Sequence, residues 1–210
     1  MNPGPTFERV YRALKEQLMG GFFAPGDPLE PAMIGAELNA SVTPVRDALH
    51  RLVGERMVDA PRNDGFRSPA PTEAELRDLY GWRETLLELA LRRSARRSDL
   101  PAFLAEHASL PSTDGAAALF VEVARRTANP EHERAVAAVN DRLSSYRAPE
   151  GRLFEDLVAE LSGLRAAFEA NDDSELRRLI FAYHRRRRNE TPHLLLAARM
   201  PRSADDANNP

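Results

Sequence analysis

The chain has 210 residues and a formal net charge of −3, with 42% hydrophobic, 29% charged and 7% aromatic residues and no cysteine. That balance fits a globular chain and excludes a disordered or membrane-spanning one, since no apolar run reaches the roughly 18 residues a span needs. Without cysteine there are no disulfides or thiolate metal sites, and a slightly acidic balance excludes indiscriminate nucleic-acid binding by a general basic field.

The N-terminus interleaves Glu8, Arg9, Arg12, Lys15 and Glu16 with its apolar residues. A secretory signal needs an uninterrupted apolar core, so the expected compartment is the cytoplasm. Phe7, Val10, Tyr11, Leu14 and Leu18 recur at helical spacing and meet Gly20-Gly21, which predicts a first helix with a glycine stop. Pro25-Gly26-Asp27-Pro28 forces a turn. Met33, Ile34 and Leu38 then predict a short second helix ending near Asn39.

A third helix follows almost at once, capped by Ser41 or Thr43, with Pro44 tolerated in the first turn. Val45, Ala48, Leu49 and Leu52 share its inner face, while Arg46, Asp47, His50 and, at the margin, Arg51 face outward. Met57 to Pro61 and Gly65 to Ser68 read as two short strands around a turn at Arg62-Asn63-Asp64-Gly65. Helix, helix-turn-helix, hairpin is the order of a winged helix. Between residues 41 and 69, Arg46, Arg51, Arg56, Arg62 and Arg67 exceed Asp47, Glu55, Asp59 and Asp64 by only one charge.

Pro69-Ala70-Pro71-Thr72 is a linker by composition, with Thr72 placed to cap the next helix. Everything beyond it reads as helical. Leu76, Leu79, Tyr80, Leu86, Leu87 and Ala90 form one stripe, and Leu153, Phe154, Leu157, Val158, Leu161, Leu164 and Phe168 another. Further helices are expected around Ala116 to Ala128, Pro130 to Tyr146, Ser174 to Arg188 and His193 to Met200. The expected fold is therefore mainly α. It comprises a winged helix-turn-helix with a two-stranded wing (1–69), an all-helical bundle for effector binding and dimerisation (70–200) and a disordered tail (201–210).

The segment from Pro25-Gly26 to Gly65 resembles the GntR family of winged-helix regulators, most specifically in Ser41-Val42-Thr43-Pro44-Val45-Arg46-Asp47-Ala48-Leu49. The resemblance implies a homodimeric, sequence-specific regulator of double-stranded DNA, read as a repressor. It implies Arg46 on a guanine edge or phosphate, Ser41 and Thr43 on the backbone, and the wing around Gly65 at the minor groove. Arg46 otherwise only solvates an exposed face. The family usually has arginine where this chain has Val42, which can touch only a thymine methyl. His50, one turn beyond Arg46, either reaches DNA or is idle, and Arg62 and Arg67 are either wing contacts to phosphate or solvated charge.

Residues beyond the linker resemble the FadR-type effector domain of that family, through Arg83 to Glu88 and the Asn129-Pro130 turn. That resemblance implies an all-helical pocket for a small organic-acid or acyl effector, often built on a metal held by one Asp and three His. The aligned positions here are Ala116, Phe120, Leu161 or Ser162, and His184, so only one ligand survives and no family-type metal or other cofactor is expected. Arg83 is either a structural ion-pair partner, to Glu88 or another carboxylate, or the clamp for an effector carboxylate. Arg185 to Arg188 after His184 read as a solvated helix face or an anion patch. His107, His132 and His193 lack ligand-like spacing. With no nucleophile-base-acid set and no phosphate loop, an enzyme is not expected. The rival readings are a constitutive DNA-binding dimer with a decayed pocket and a helical small-molecule-binding protein.

Overall fold

A computed structural model describes residues 4–62, 64–92 and 112–200 of the chain. The expected tail and His107 lie outside the described residues. Helix α1 (Pro5–Met19) begins on a proline, whose missing N–H costs nothing in a first turn, and buries Val10, Leu14 and Leu18 at four-residue intervals. Helix α3 (Val42–Gly54) packs against both α1 and α2 (Pro31–Glu37), and buries the inner face expected of it: Val45, Ala48, Leu49 and Leu52. Leu29, Ile34, Met57 and Val58 complete this first apolar core.

The α2–α3 turn is very tight. A Cβ on Gly35 would stand 2.7 Å from the carbonyl oxygen of Ala40, and Asn39 takes φ 49°. Arg9 donates to the carbonyls of Leu38 (2.7 Å) and Asn39 (3.2 Å), satisfying acceptors that the end of α2 leaves open.

The expected two-stranded wing is replaced by single bridges, with no strand among the described residues. Arg67 exchanges backbone hydrogen bonds with Asp59 (2.9 and 2.8 Å) and also forms a bridge with Pro28 on its other side. Leu29 donates to the Phe66 carbonyl at 2.8 Å. Pro61 and Pro69, which would supply the next N–H on either side of the Asp59–Arg67 pair, have none to offer, so that ladder stays a single bridge. Gly65 takes φ 69° in the turn, the left-handed region open to glycine.

Thr72 and Glu75 form a reciprocal capping box, Thr72 N–H to Glu75 Oε2 at 2.8 Å and Glu75 N–H to Thr72 Oγ1 at 3.3 Å. It opens α4 (Glu73–Arg92). Then come α5 (Ser112–Arg125), α6 (Pro130–Arg147), a 3-10 turn (Ala148–Arg152), α7 (Leu157–Glu169), α8 (Asp173–Asn189) and α9 (Thr191–Arg199). The stripe expected from Leu153 is helical only from Leu157, and Val158 turns outward at 71% exposure. A second core gathers Leu76, Leu87, Phe120, Leu143, Phe168 and Ile180 from five helices. Lys15 of α1 meets Asp141 of α6 at 2.7 Å, and Tyr146 donates to the Pro69 carbonyl at 3.1 Å, so the two cores are tied across the linker. No described helix is long and apolar enough to cross a membrane.

Candidate functional site

The outward face of α3 carries the first group of candidate residues. Ser41 sits at the N-cap in extended backbone without using its hydroxyl on the helix, and Val42 is 43% exposed. Thr43, Arg46 and His50 follow on the exposed side. Arg46 has no hydrogen bond or ion pair among the described residues, whereas Arg51 is spent on the ring of Tyr11 (3.9 Å) and on Glu8 and Glu55. His50 packs edge-on against Phe66 at 5.0 Å between ring centres, which joins α3 to the wing turn.

The wing residues differ in availability. Arg62 is exposed and has no partner among the described residues. Arg67 forms a two-pronged ion pair with Asp64 (2.8 and 2.9 Å) and donates to the Gly26 carbonyl at 3.2 Å. A phosphate would have to displace Asp64 to use it. Behind α3, Glu55 accepts from Tyr11 (2.6 Å) and Lys15 (2.9 Å). Burial alone would raise the Glu55 carboxyl, but these two hydrogen bonds hold it below the ordinary carboxylate value.

The second group lies inside the helical part. Arg83 is fully buried and finds no carboxylate: its Nε donates to His184 Nε2 at 3.0 Å and one Nη to Asn140 Oδ1 at 3.1 Å. Glu88, the expected partner, pairs instead with Arg92, because one turn along an exposed helix is a shorter reach than the interior. The guanidinium faces the rings of Phe120, Tyr183 and Tyr80 at 4.9 to 5.5 Å. His184 Nδ1 donates to the Ile180 carbonyl at 2.7 Å, which leaves Nε2 as the acceptor and the ring neutral. Burial and then the Arg83 charge push the imidazole well below its ordinary value.

These residues do not fit a family-type metal. Both nitrogens of His184 are engaged, one of them by a cation, while Ala116, Phe120 and Leu161 are buried apolar side chains. No described group of three or more His, Asp or Glu could hold an ion.

The arginine run also departs from a solvated face. Arg187 is 1% exposed, held by Glu150 (2.7 and 3.1 Å) and Glu160 (2.7 and 2.8 Å) and stacked 3.3 Å from the Tyr183 ring centre. Burial opposes its charge, but Tyr183, Glu150 and Glu160 raise its pKa well above the ordinary value. Around this pair an Nη of Arg83, Nε of Arg147 and the hydroxyls of Tyr80 and Tyr183 are buried without a hydrogen-bond partner among the described residues. Sequence reasoning singled out Arg83 and His184 but not Asn140, Glu150 or Tyr183, whose spacing carries no motif.

An exposed helix in a tight helix-turn-helix, beside a bridged turn, is an arrangement that DNA-binding regulators use. Residues 6–67 match the family described as bacterial regulatory proteins, gntR family. Over 87 residues the chain is 33% identical to the HTH-type transcriptional repressor GlaR of Escherichia coli (strain K12), covering 40% of each chain. Over 76 residues it is 34% identical to the Nta operon transcriptional regulator of Aminobacter aminovorans, covering 36% of each. The matched segment thus spans about two fifths of the length of these curated relatives. In fold, the chain is similar to E. coli McbR/YncC, with TM-score 0.71 and 19% identity over 91% of this chain and 99% of that one. It is also similar to a GntR-type structure from Rhodococcus sp. RHA1, with TM-score 0.70 and 18% identity over 89% and 97%. The family match is thus confined to residues 6–67, and beyond it the likeness to these solved structures is one of fold.

Proposed function

We propose that the protein is a homodimeric repressor that places α3 in the major groove of a pseudo-palindromic operator and answers to a small anionic effector. The observation that carries this reading is Arg46, exposed on the matched helix and unspent on any described protein partner. A helix docked by its N-terminal end offers Ser41 and Thr43 to the backbone, Val42 to a thymine methyl, and Arg46 to a guanine edge or phosphate. His50, Arg62 and the wing at Gly65 stand beside it, and Arg67 joins only by exchanging Asp64 for phosphate. On this reading residues 1–69 are the DNA-binding unit and 70–200 a FadR-type unit acting in the cytoplasm without catalysis.

A lone head reads a short half-site, so affinity calls for two copies. The helical part leaves Leu89, Val158, Phe181, Leu196 and Met200 exposed, apolar surface that a second copy would cover. For the effector, Arg83 offers a buried cation with an unspent donor, and Tyr80 and Tyr183 offer two more. Donors without acceptors suit a carboxylate, with Arg83 as its clamp and neutral His184 fixing the guanidinium plane. The lost metal ligands support the rival of a constitutive dimer. A thermal shift across a panel of organic acids and acyl esters, absent in Arg83→Gln, supports effector control, and no shift in the native protein supports the rival. Selection of genomic fragments followed by footprinting tests the whole reading: a two-fold protected site lost in Arg46→Ala is expected, and protection unchanged in that variant overturns it.

A further inference from the structure

Between the two cores lies a cavity of about 750 Å³, walled by Val53, Met57 and Val58 of the head, Pro69 to Pro71 of the linker, and Leu79, Trp82, Arg142 and Tyr146 of α4 and α6. Its size is that of a small-molecule site, and such sites favour the seams between domains. Trp82 is half exposed.

Two cations line it without a partner. Arg142 is half-buried and has no hydrogen bond or ion pair among the described residues, nor has Arg56. Burial lowers the Arg142 pKa and the Arg56 charge lowers it further, so the two guanidinium groups sense each other. The cavity also has acids. Asp141 is neutralised by Lys15 at 2.7 Å, whereas Glu75, held ionised by its hydrogen bonds from Thr72, and Asp59 and Asp78 keep their charge, and none of the three pairs with either arginine.

Arg56 has a second peculiarity. It closes α3 with a left-handed φ of 58°, Met57 N–H reaching the Leu52 carbonyl at 2.9 Å and its own N–H the Val53 carbonyl at 3.0 Å. Glycine is the least strained residue at that helix-ending position, so a side chain is carried there against local preference.

We propose that this cavity binds a small organic anion with a flat apolar body, its anionic group between Arg56 and Arg142 and its body against Trp82. The site is separate from the Arg83 centre and does not depend on DNA binding. Because Arg56 directly follows α3 and Arg142 belongs to the bundle, an occupant joins the DNA-reading helix to the helical part. Occupancy would then bias how the head sits.

Trp82 is the only tryptophan in the sequence and so reports on its own cavity. The test uses the full chain with 8-anilinonaphthalene-1-sulfonate as probe and its uncharged analogue N-phenyl-1-naphthylamine as control. The expected result is energy transfer from Trp82 to the sulfonate, with binding weakened about tenfold or more by Arg142→Gln and by Arg56→Gly, and the uncharged analogue indifferent to both. Arg56→Gly suits its backbone position and should melt no lower than the native protein, which separates loss of the site from loss of the fold. Sulfonate binding without transfer from Trp82, or with equal affinity in both variants, overturns the proposal. Weakening by Arg83→Gln alone would place the anion in the bundle and overturn it equally.

Discussion

The head and the helical part use arginine in opposite ways. Among the described residues the head buries no charged side chain and turns Arg46 outward, whereas the helical part is built around Arg83, Arg187 and Glu150, all fully or almost fully buried. A surface cation without a partner costs little in water and is available to a polyanion. A buried one must be held by rings, dipoles and carboxylates, so it is tied to stability first. Substitutions in the head should therefore separate function from folding, and those in the bundle should not.

The largest effect is expected inside the bundle. Glu150→Ala leaves Arg187 with Glu160 alone, and breaking a buried pair of this kind costs about 3 to 5 kcal/mol. Chemical denaturation of the native and variant proteins measures it, and a loss under about 1 kcal/mol would show that the interior is wetter than its burial implies.

That centre was hardly legible in the sequence. The head was: its turn residues, its α3 face and its capping positions follow from local spacing and the quoted motif. The bundle helices were visible too, because apolar periodicity is local. The polar interior was not, since Arg83, Asn140, Glu150 and His184 come from distant elements and meet only through packing. The run at Arg185 to Arg188 reads as surface, yet helical phase turns Arg187 inward toward Glu150. The wing failed for a local reason, two prolines at the positions where a ladder would have continued.

Next in size is Gly35→Ala in the head. The added methyl would meet the Ala40 carbonyl oxygen at 2.7 Å, and backbone cannot yield as a side-chain tip can. A loss of about 1 to 3 kcal/mol is expected, with DNA binding falling alongside because the turn sets the angle of α3. This variant is the exception that sharpens the contrast, since in the head only the scaffold, not the reading face, should couple folding to function.

A smaller effect concerns pH. The folded His184 has its pKa well below the ordinary 6.5, while the unfolded chain takes up the proton near that value. Stability is therefore fully present above about pH 6.5 and is lost as pH falls from there toward the folded-state value, by at most about 1.4 kcal/mol per pH unit. His184→Gln should flatten denaturation midpoints between pH 6.5 and 5. An unchanged slope would mean that the imidazole is protonated in the native bundle.

The smallest effect is at the wing. Asp64→Ala releases the half-buried Arg67, with little change in melting temperature and a salt dependence of DNA binding steeper by roughly one counterion. An unchanged slope would remove Arg67 from the interface.

Hydrogen exchange with and without a selected operator duplex tests the outward-facing head most directly. Slowed exchange across residues 41–50 and the wing turn, with residues 76–92 of α4 unaffected and the effect abolished in Arg46→Ala at unchanged melting temperature, is the predicted result. Protection confined to the bundle, or persisting undiminished in Arg46→Ala, would contradict it.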